Sequence, residues 1–366
     1  MTELFSPLTL GRATLANRLS VAPMTTSQSH ADGTVSEAEM AWLERVAEDG
    51  YGMVITCAAA ISRTSIAFER QMSLGDDRFL PGLQVLAERL RRHRTVAIAQ
   101  LCHGGSRTIE ALAGQPAFSA SAFTVPGLPS AGRPRPLSPG QIEQIVEDFA
   151  EASERAANAG FDGVEFHGAN GYLFGQFIST MSNQRGDKYG GSLENRARFS
   201  REVVRACRAR VPEGFILGFR LSFESNPFDN GLDIDENIQI MRWLAEDGID
   251  YGHVSHMDLA AKSVKYPEEI ALAYIRARID RSLPLVVAGG VMSRAQADRA
   301  LELGADVVAV GRGAIGNAHL PARLANGEPL TPMPYDAAKL SELSVSEDFV
   351  RYLTTAMPVS RLGIVR

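Results

Sequence analysis

Cysteine is scarce in this 366-residue sequence: Cys57, Cys102 and Cys207 stand far apart and form no Cys-x-x-Cys pair. That spacing excludes a disulfide framework and gives no support to a zinc or iron–sulfur centre, so no metal is expected and a reducing, cytoplasmic setting is. There is no basic surplus, since 37 lysines and arginines face 43 aspartates and glutamates for a net charge of -6. Nothing is left over to neutralise phosphates, and a nucleic-acid partner is not expected. No run approaches the ~20 apolar residues of a bilayer span, and no apolar stretch follows a basic N-terminal segment. Neither membrane insertion nor export is expected. Also missing are a serine elbow, a lysine at a strand end fit for a Schiff base, and the Gly-x-Gly-x-x-Gly turn of a dinucleotide-binding sheet.

What is present is an ordinary globular composition, 45% hydrophobic and 22% charged, arranged as an alternation. Short aliphatic runs at 19–24, 51–57, 95–101, 162–167, 216–222, 249–255, 283–290 and 306–312 are nearly continuous rather than alternating, as parallel strands covered on both faces are. Between them lie amphipathic stretches with apolar residues three and four apart, several opening on Ser or Asp and closing on Gly. Eight such units predict a single (β/α)8 barrel of the α/β class; a doubly wound sheet competes, but nothing marks a reversal of strand order. The segment before the first strand reads as a hairpin able to plug the barrel floor. The connections 104–139 and 168–191 are too long for simple links, and both follow strands, which puts them at the C-terminal mouth as lid or substrate wall. The last forty residues form a tail whose Phe349, Tyr352, Leu353, Met357, Leu362, Ile364 and Val365 suggest docking on the barrel or on a second copy. A homo-oligomer is expected on that ground.

In a barrel, chemistry comes from the carboxyl ends of different strands. Gly289-Gly290 and Gly311-Arg312 end the seventh and eighth, where unobstructed backbone N–H groups and a guanidinium suit a phosphate; a tight turn is the plainer reading. Arg220 is a cation on an apolar strand and needs something anionic, whether a ligand or an internal salt bridge. Gln100 must satisfy both faces of a carboxamide, which a flat heterocycle or the backbone could do. His167 and Asn170 can both donate to one oxygen, and the Tyr172 phenol can deliver a proton at neutral pH. Glu165, alternating with Phe166 along the strand, is set aside as a poor third ligand. Phe174 is open between lining the mouth and packing the loop, and His253 and His256 between shaping the pocket and closing a strand.

The combination APMT, AQLCHGG, EFHGANGYL, SNQRGDKYGGSLENRARF, GFRLS, AGG and VGRG, spread from about Phe5 to about Asn326, resembles the Old Yellow Enzyme family of FMN-dependent ene-reductases. The resemblance implies an FMN-binding barrel over 1–330 with a C-terminal tail over 331–366. It implies Gln100 and Arg220 on the isoalloxazine, Pro23, Met24, Thr25 and Ala58 lining the ring, and Gly289, Gly290, Gly311 and Arg312 on the phosphate. His167 and Asn170 would hold the carbonyl oxygen of an activated alkene and Tyr172 would protonate its α-carbon, with NADH or NADPH as electron donor. Thr25 stands where one branch of the family has a cysteine, the donor pair is His/Asn rather than His/His, and no cysteine cluster marks the longer iron–sulfur relatives. Three other readings stay open: a related flavoprotein with a nitro or quinone oxidant, a flavin-binding sensor without turnover, and a flavin-free barrel aldolase or isomerase.

Overall fold

The eight apolar runs are eight strands in a computed structural model of the chain, in which residues 3–124, 133–355 and 364–365 are described, the last pair as backbone only. They are β1 Leu19–Val21, β2 Met53–Ile55, β3 Val96–Cys102, β4 Gly163–Gly168, β5 Ile216–Leu221, β6 Tyr251–Ser255, β7 Leu285–Ala288 and β8 Val307–Val310. Neighbours run parallel in the order β2-β1-β8-β7-β6-β5-β4-β3, and β3 pairs back onto β2, which closes a (β/α)8 barrel. Most strands are shorter than the runs that predicted them. Pro23, which lacks an N–H, follows β1, and Gly290, at φ +77, follows β7. Both leave the ladder and become part of the C-terminal rim.

The helices between strands are α1 Glu37–Glu48, α2 Leu80–Arg91, α3 Pro139–Ala159, α4 Leu193–Arg210, α5 Ile234–Asp247, α6 Ala271–Arg276, α7 Arg294–Glu302 and α8 Leu320–Ala325. Their starts follow the caps read from the sequence: the side chains of Ser36, Ser138, Ser192, Asp233 and Ser293 accept from first-turn N–H groups. Gln141 completes a capping box with Ser138. Each helix buries one apolar stripe against the outer face of the barrel, as α3 does with Ile142, Ile145, Phe149 and Ala156.

The hairpin Leu8–Leu10 and Ala13–Leu15 plugs the floor. Its Leu10 and Leu15 pack with Met53, Ile55, Val96, Ile98 and Ile216, the inward residues at the strand bases. At the opposite end the two long connections are fastened to each other. Asn183 Nδ2 donates to the carbonyls of Phe177 at 2.6 Å and Tyr189 at 2.8 Å, while Arg185 donates to those of Ala120 and Leu137 at 2.9 and 2.6 Å. The SNQRGDKYGG stretch therefore braces the mouth; residues 125–132 of the first connection lie outside the described residues.

The tail returns to its own barrel. Helix α9, Glu347–Thr355, sets Phe349 edge-on against Trp42 at 5.3 Å, and the Ser346 N–H donates to Gln28 Oε1 at 3.2 Å. Asp348 pairs with Arg70. Met357 and Leu362 lie outside the described residues, as do the side chains of Ile364 and Val365. Among the described residues no helix is long and apolar enough to cross a membrane.

Candidate active site at the barrel mouth

Period-2 alternation on closed parallel strands turns every second side chain into the lumen. The upper inward positions are Gln100, His167, Arg220 and Ser255, with Arg220 in register with His167 on one side and His253 on the other. Above them the rim loops complete a cavity of about 450 Å³. All thirteen residues singled out from the sequence line it: Pro23, Met24, Thr25, Ala58, Gln100, His167, Asn170, Tyr172, Arg220, Gly289, Gly290, Gly311 and Arg312.

Arg220 Nη2 donates to Ser255 Oγ at 2.9 Å and Nη1 to the Pro23 carbonyl at 3.4 Å. Both acceptors are neutral, and its buried Nε has no hydrogen-bond partner among the described residues. Of the two readings of this cation, an internal salt bridge is not what the structure holds; the guanidinium faces the cavity with donor capacity in hand. Gln100 is not satisfied by backbone alone, because its Nε2 donates to Glu165 Oε1 at 2.7 Å.

His167 is 5% exposed and its Nδ1 has no partner among the described residues. Burial, helped by the Arg220 charge, holds its pKa well below the ordinary histidine value, so it is a neutral imidazole and a hydrogen-bond donor through one nitrogen only. Asn170 adopts φ +62, a left-handed conformation that asparagine tolerates, and its N–H donates to Ser222 Oγ at 3.1 Å. That turn swings the chain back so that Tyr172, two residues on, faces the same cavity. Burial raises the Tyr172 pKa far above its reference value, which keeps the phenol protonated.

The glycine pair after β7 is built for close approach. A Cβ at Gly289 would sit 2.9 Å from the Leu259 amide nitrogen, and at Gly290 3.0 Å from Arg312. These loops present main chain, not side chains, to the cavity. Taken together the cavity offers a cation with a free donor, a carboxamide, bare backbone and an apolar wall at Ala22, Met24 and Ala58. That donor set fits a flat heterocycle carrying a phosphate.

Three contributors were not legible in the sequence. Glu165, set aside as a ligand, is fully buried in the lumen two residues below His167 and on the same face, where it also accepts from Tyr251 and His253. The alternation that removed it from Phe166's side puts it on His167's side. Tyr352 enters the cavity from α9, with its hydroxyl on the side of Thr25. Arg107, from the connection after β3, joins the wall while holding the carbonyls of Gly171 and Phe228 at 3.2 and 3.0 Å. Phe174 is not in the cavity: it is buried with Phe149, Phe199 and Phe219 behind the strands, ring centroids 4.9 to 5.1 Å away. His256 does line the cavity, whereas His253 lies beneath it.

Comparison with known proteins agrees in fold and sequence. Residues 3–331 match the family model described as NADH:flavin oxidoreductase / NADH oxidase family. The chain is 37% identical over 317 residues to the probable NADH-dependent flavin oxidoreductase YqiG of Bacillus subtilis (strain 168), covering 84% of each. It is 34% identical over 361 residues to an NADH:fumarate oxidoreductase of Klebsiella pneumoniae (strain 342), covering 96% of this chain but 39% of that longer one. Among solved structures it is similar to morphinone reductase, with a TM-score of 0.81 at 30% identity over 92% of both chains. It is also similar to the old yellow enzyme homologue of Zymomonas mobilis, with a TM-score of 0.80 at 27% identity, covering 90% of this chain and 94% of that one.

Proposed function

The chain belongs to the NADH:flavin oxidoreductase / NADH oxidase family, the Old Yellow Enzymes, and is an FMN-dependent NAD(P)H oxidoreductase; we propose that it reduces the C=C bond of activated alkenes, α,β-unsaturated carbonyl compounds above all. The observation that carries this reading is the convergence of His167, Asn170 and Tyr172 on the cavity that Gln100 and Arg220 floor. Bound here, FMN would supply the redox chemistry, hydride transfer from NAD(P)H to the β-carbon of the alkene. The rest is positioning and proton management by the chain. Gln100 and Arg220 would hold the ring, Arg220 offering it positive charge. Pro23, Met24, Thr25 and Ala58 would line it, and Gly289, Gly290, Gly311 and Arg312 would bind the phosphate through backbone N–H groups and a guanidinium.

His167 and Asn170 donate to the carbonyl oxygen of the substrate, and because His167 is neutral it polarises that oxygen without surrendering its proton. Tyr172, kept protonated by burial, gives its phenolic proton to the α-carbon. The barrel over 1–330 carries the cofactor in this reading, and the tail over 331–366 closes the mouth through Tyr352 and Leu353. Fumarate, the compound in one relative's name, is an alkene activated by carboxyl groups. We also infer a cytoplasmic setting from three buried, unpaired cysteines, and a homo-oligomer from the exposed apolar side chains of Met181, Met257 and Val264. The net charge of -6 argues against a nucleic-acid partner.

Anaerobic rapid mixing tests the reaction. NADH or NADPH bleaches the flavin absorbance, and an enone, maleimide or nitroalkene restores it with formation of the saturated product. Bleaching without reoxidation by any of these, while a quinone or nitroarene restores the colour, would replace alkene reduction by the other-oxidant reading.

A further inference from the structure

Beneath the cavity lie three buried polar side chains, Glu165, Tyr251 and His253, to which the reaction assigns no part. Glu165 on β4 is 0% exposed, in register with Gln100 on β3. Its Oε1 accepts from Gln100 Nε2 at 2.7 Å, and its Oε2 from the Tyr251 hydroxyl at 3.0 Å and His253 Nδ1 at 2.8 Å. A fully buried carboxylate is expensive unless its lone pairs are filled and a positive charge is near. Here three donors fill them, and Arg220, one strand over, supplies the charge. We propose that Glu165 is a positioning residue of the flavin site, fixing Gln100 as a hydrogen-bond acceptor toward the ring and setting how much of the Arg220 charge the ring meets.

The first half follows from what each group can do. A carboxylate only accepts, so the Gln100 –NH2 must face it, and the carboxamide oxygen is the end left for the cavity. Without Glu165 the amide could rotate by half a turn and present a donor instead. The second half follows from the surroundings of Arg220. Its guanidinium touches only the Ser255 hydroxyl and the Pro23 carbonyl, and among the described residues no carboxylate makes contact with it. Glu165 is the buried anion that acts on it through space. Burial by itself would raise the Glu165 pKa, but His253, Arg220 and the Gln100 hydrogen bond outweigh burial and hold it below the ordinary carboxylate range. It is therefore a fixed negative charge under a ring that gains electron density on reduction. A residue that only filled the lumen would affect stability; a charge in this place also affects the redox equilibrium of the bound ring.

The proposal rests on Gln100 and Arg220 being the ring-binding pair, and the test separates the two ideas. The holoenzyme and its Glu165→Gln variant are compared by equilibrium reduction against a reference dye and by FMN titration of the apoprotein. The new carboxamide can still accept from Gln100, so FMN binding stays within about threefold of the wild type. Loss of the charge moves the equilibrium toward reduced flavin at least tenfold, an upward shift of about 30 mV for a two-electron couple. Glu165→Asp keeps the charge but withdraws it from Gln100 by one methylene: the potential stays near that of the wild type while FMN affinity falls tenfold or more. It carries the test if Glu165→Gln does not fold. Unchanged potential in a folded, FMN-loaded Glu165→Gln protein overturns the charge role, and unchanged affinity in Glu165→Asp overturns the positioning of Gln100. FMN binding that is insensitive to Arg220→Ala and Gln100→Ala would instead overturn the assignment of the ring-binding pair.

Discussion

The His167 and Tyr172 rings meet at the barrel mouth with centroids 4.8 Å apart and planes inclined by 49°. One is a neutral imidazole and the other a protonated phenol, both set by burial, so two donors of different strength face one small volume. An α,β-unsaturated carbonyl needs this asymmetry: its oxygen takes a hydrogen bond without a proton transfer, and its α-carbon takes a proton outright.

Tyr172→Phe removes the proton and leaves the ring. Reoxidation of the reduced enzyme by an enone slows by about 10²–10⁴-fold, the usual weight of a general acid, while reduction by NAD(P)H changes less than about threefold on the same scale of rates. Stopped-flow traces of the two half-reactions separate these effects; a large loss in the reductive half would remove Tyr172 from the donor role.

His167→Ala and Asn170→Ala each weaken binding of a phenolate inhibitor, whose oxygen takes the place of the substrate carbonyl. A hydrogen bond to a charged group is worth about 1.5–3 kcal/mol, or roughly 10- to 150-fold in affinity. Because burial holds the His167 pKa well below the ordinary histidine value, it is neutral at pH 7 and above and contributes no titration of its own there. Spectral titration over that range checks both points.

Gly289→Ala and Gly311→Ala differ in cost. The new methyl at 289 meets the Leu259 amide at 2.9 Å, whereas at 311 the nearest atom is the Met24 sulfur at 3.4 Å. FMN affinity falls about tenfold or more in the first, equivalent to at least 1.4 kcal/mol, and changes little in the second. Fluorescence titration of the apoproteins with FMN measures the contrast.

Asp229 is buried on the connection after β5, its Oδ2 without a hydrogen-bond partner among the described residues, and burial lifts its pKa to about 7. The folded protein binds a proton there that the unfolded chain releases near pH 4. Stability from this site is therefore present at low pH and is lost as pH rises from about 4 to about 7. Asp229→Asn removes that slope, so at pH 8 the variant is more stable than the wild type, by an amount approaching the roughly 4 kcal/mol of a three-unit shift, and melts at a higher temperature. Thermal melts of both proteins at pH 5 and pH 8 read the difference; equal melting temperatures at pH 8 would contradict the account.

The barrel and the residues of its mouth were written locally. Eight apolar runs separated by capped amphipathic stretches specify parallel strands within windows of a few residues, and in a closed barrel the carboxyl ends of all strands share one face. Nine residues argued from strand ends and their loops, and the four that the family resemblance added, Pro23, Met24, Thr25 and Ala58, consequently line one cavity, although Ala58 and Arg220 are 162 positions apart. The same alternation, which led to Glu165 being set aside for pointing away from Phe166, also puts it on the face of His167, but that side was not drawn from the sequence.

Tertiary structure decided what those faces meet. Glu165 finds Gln100 65 positions away and His253 88 positions away because barrel closure turns inward positions of three different strands into one lumen, Gln100 in register with Glu165 and His253 one inward position farther up its strand. Nothing in the spacing of the sequence encodes that register. Phe174 packs behind the strands because α3, α4 and β5 close over it, and Tyr352 reaches Thr25 only because α9 docks through Phe349 on Trp42. Periodicity fixes the direction a side chain takes from its own backbone; its partners depend on where distant backbone ends up, which the packing of the whole barrel settles.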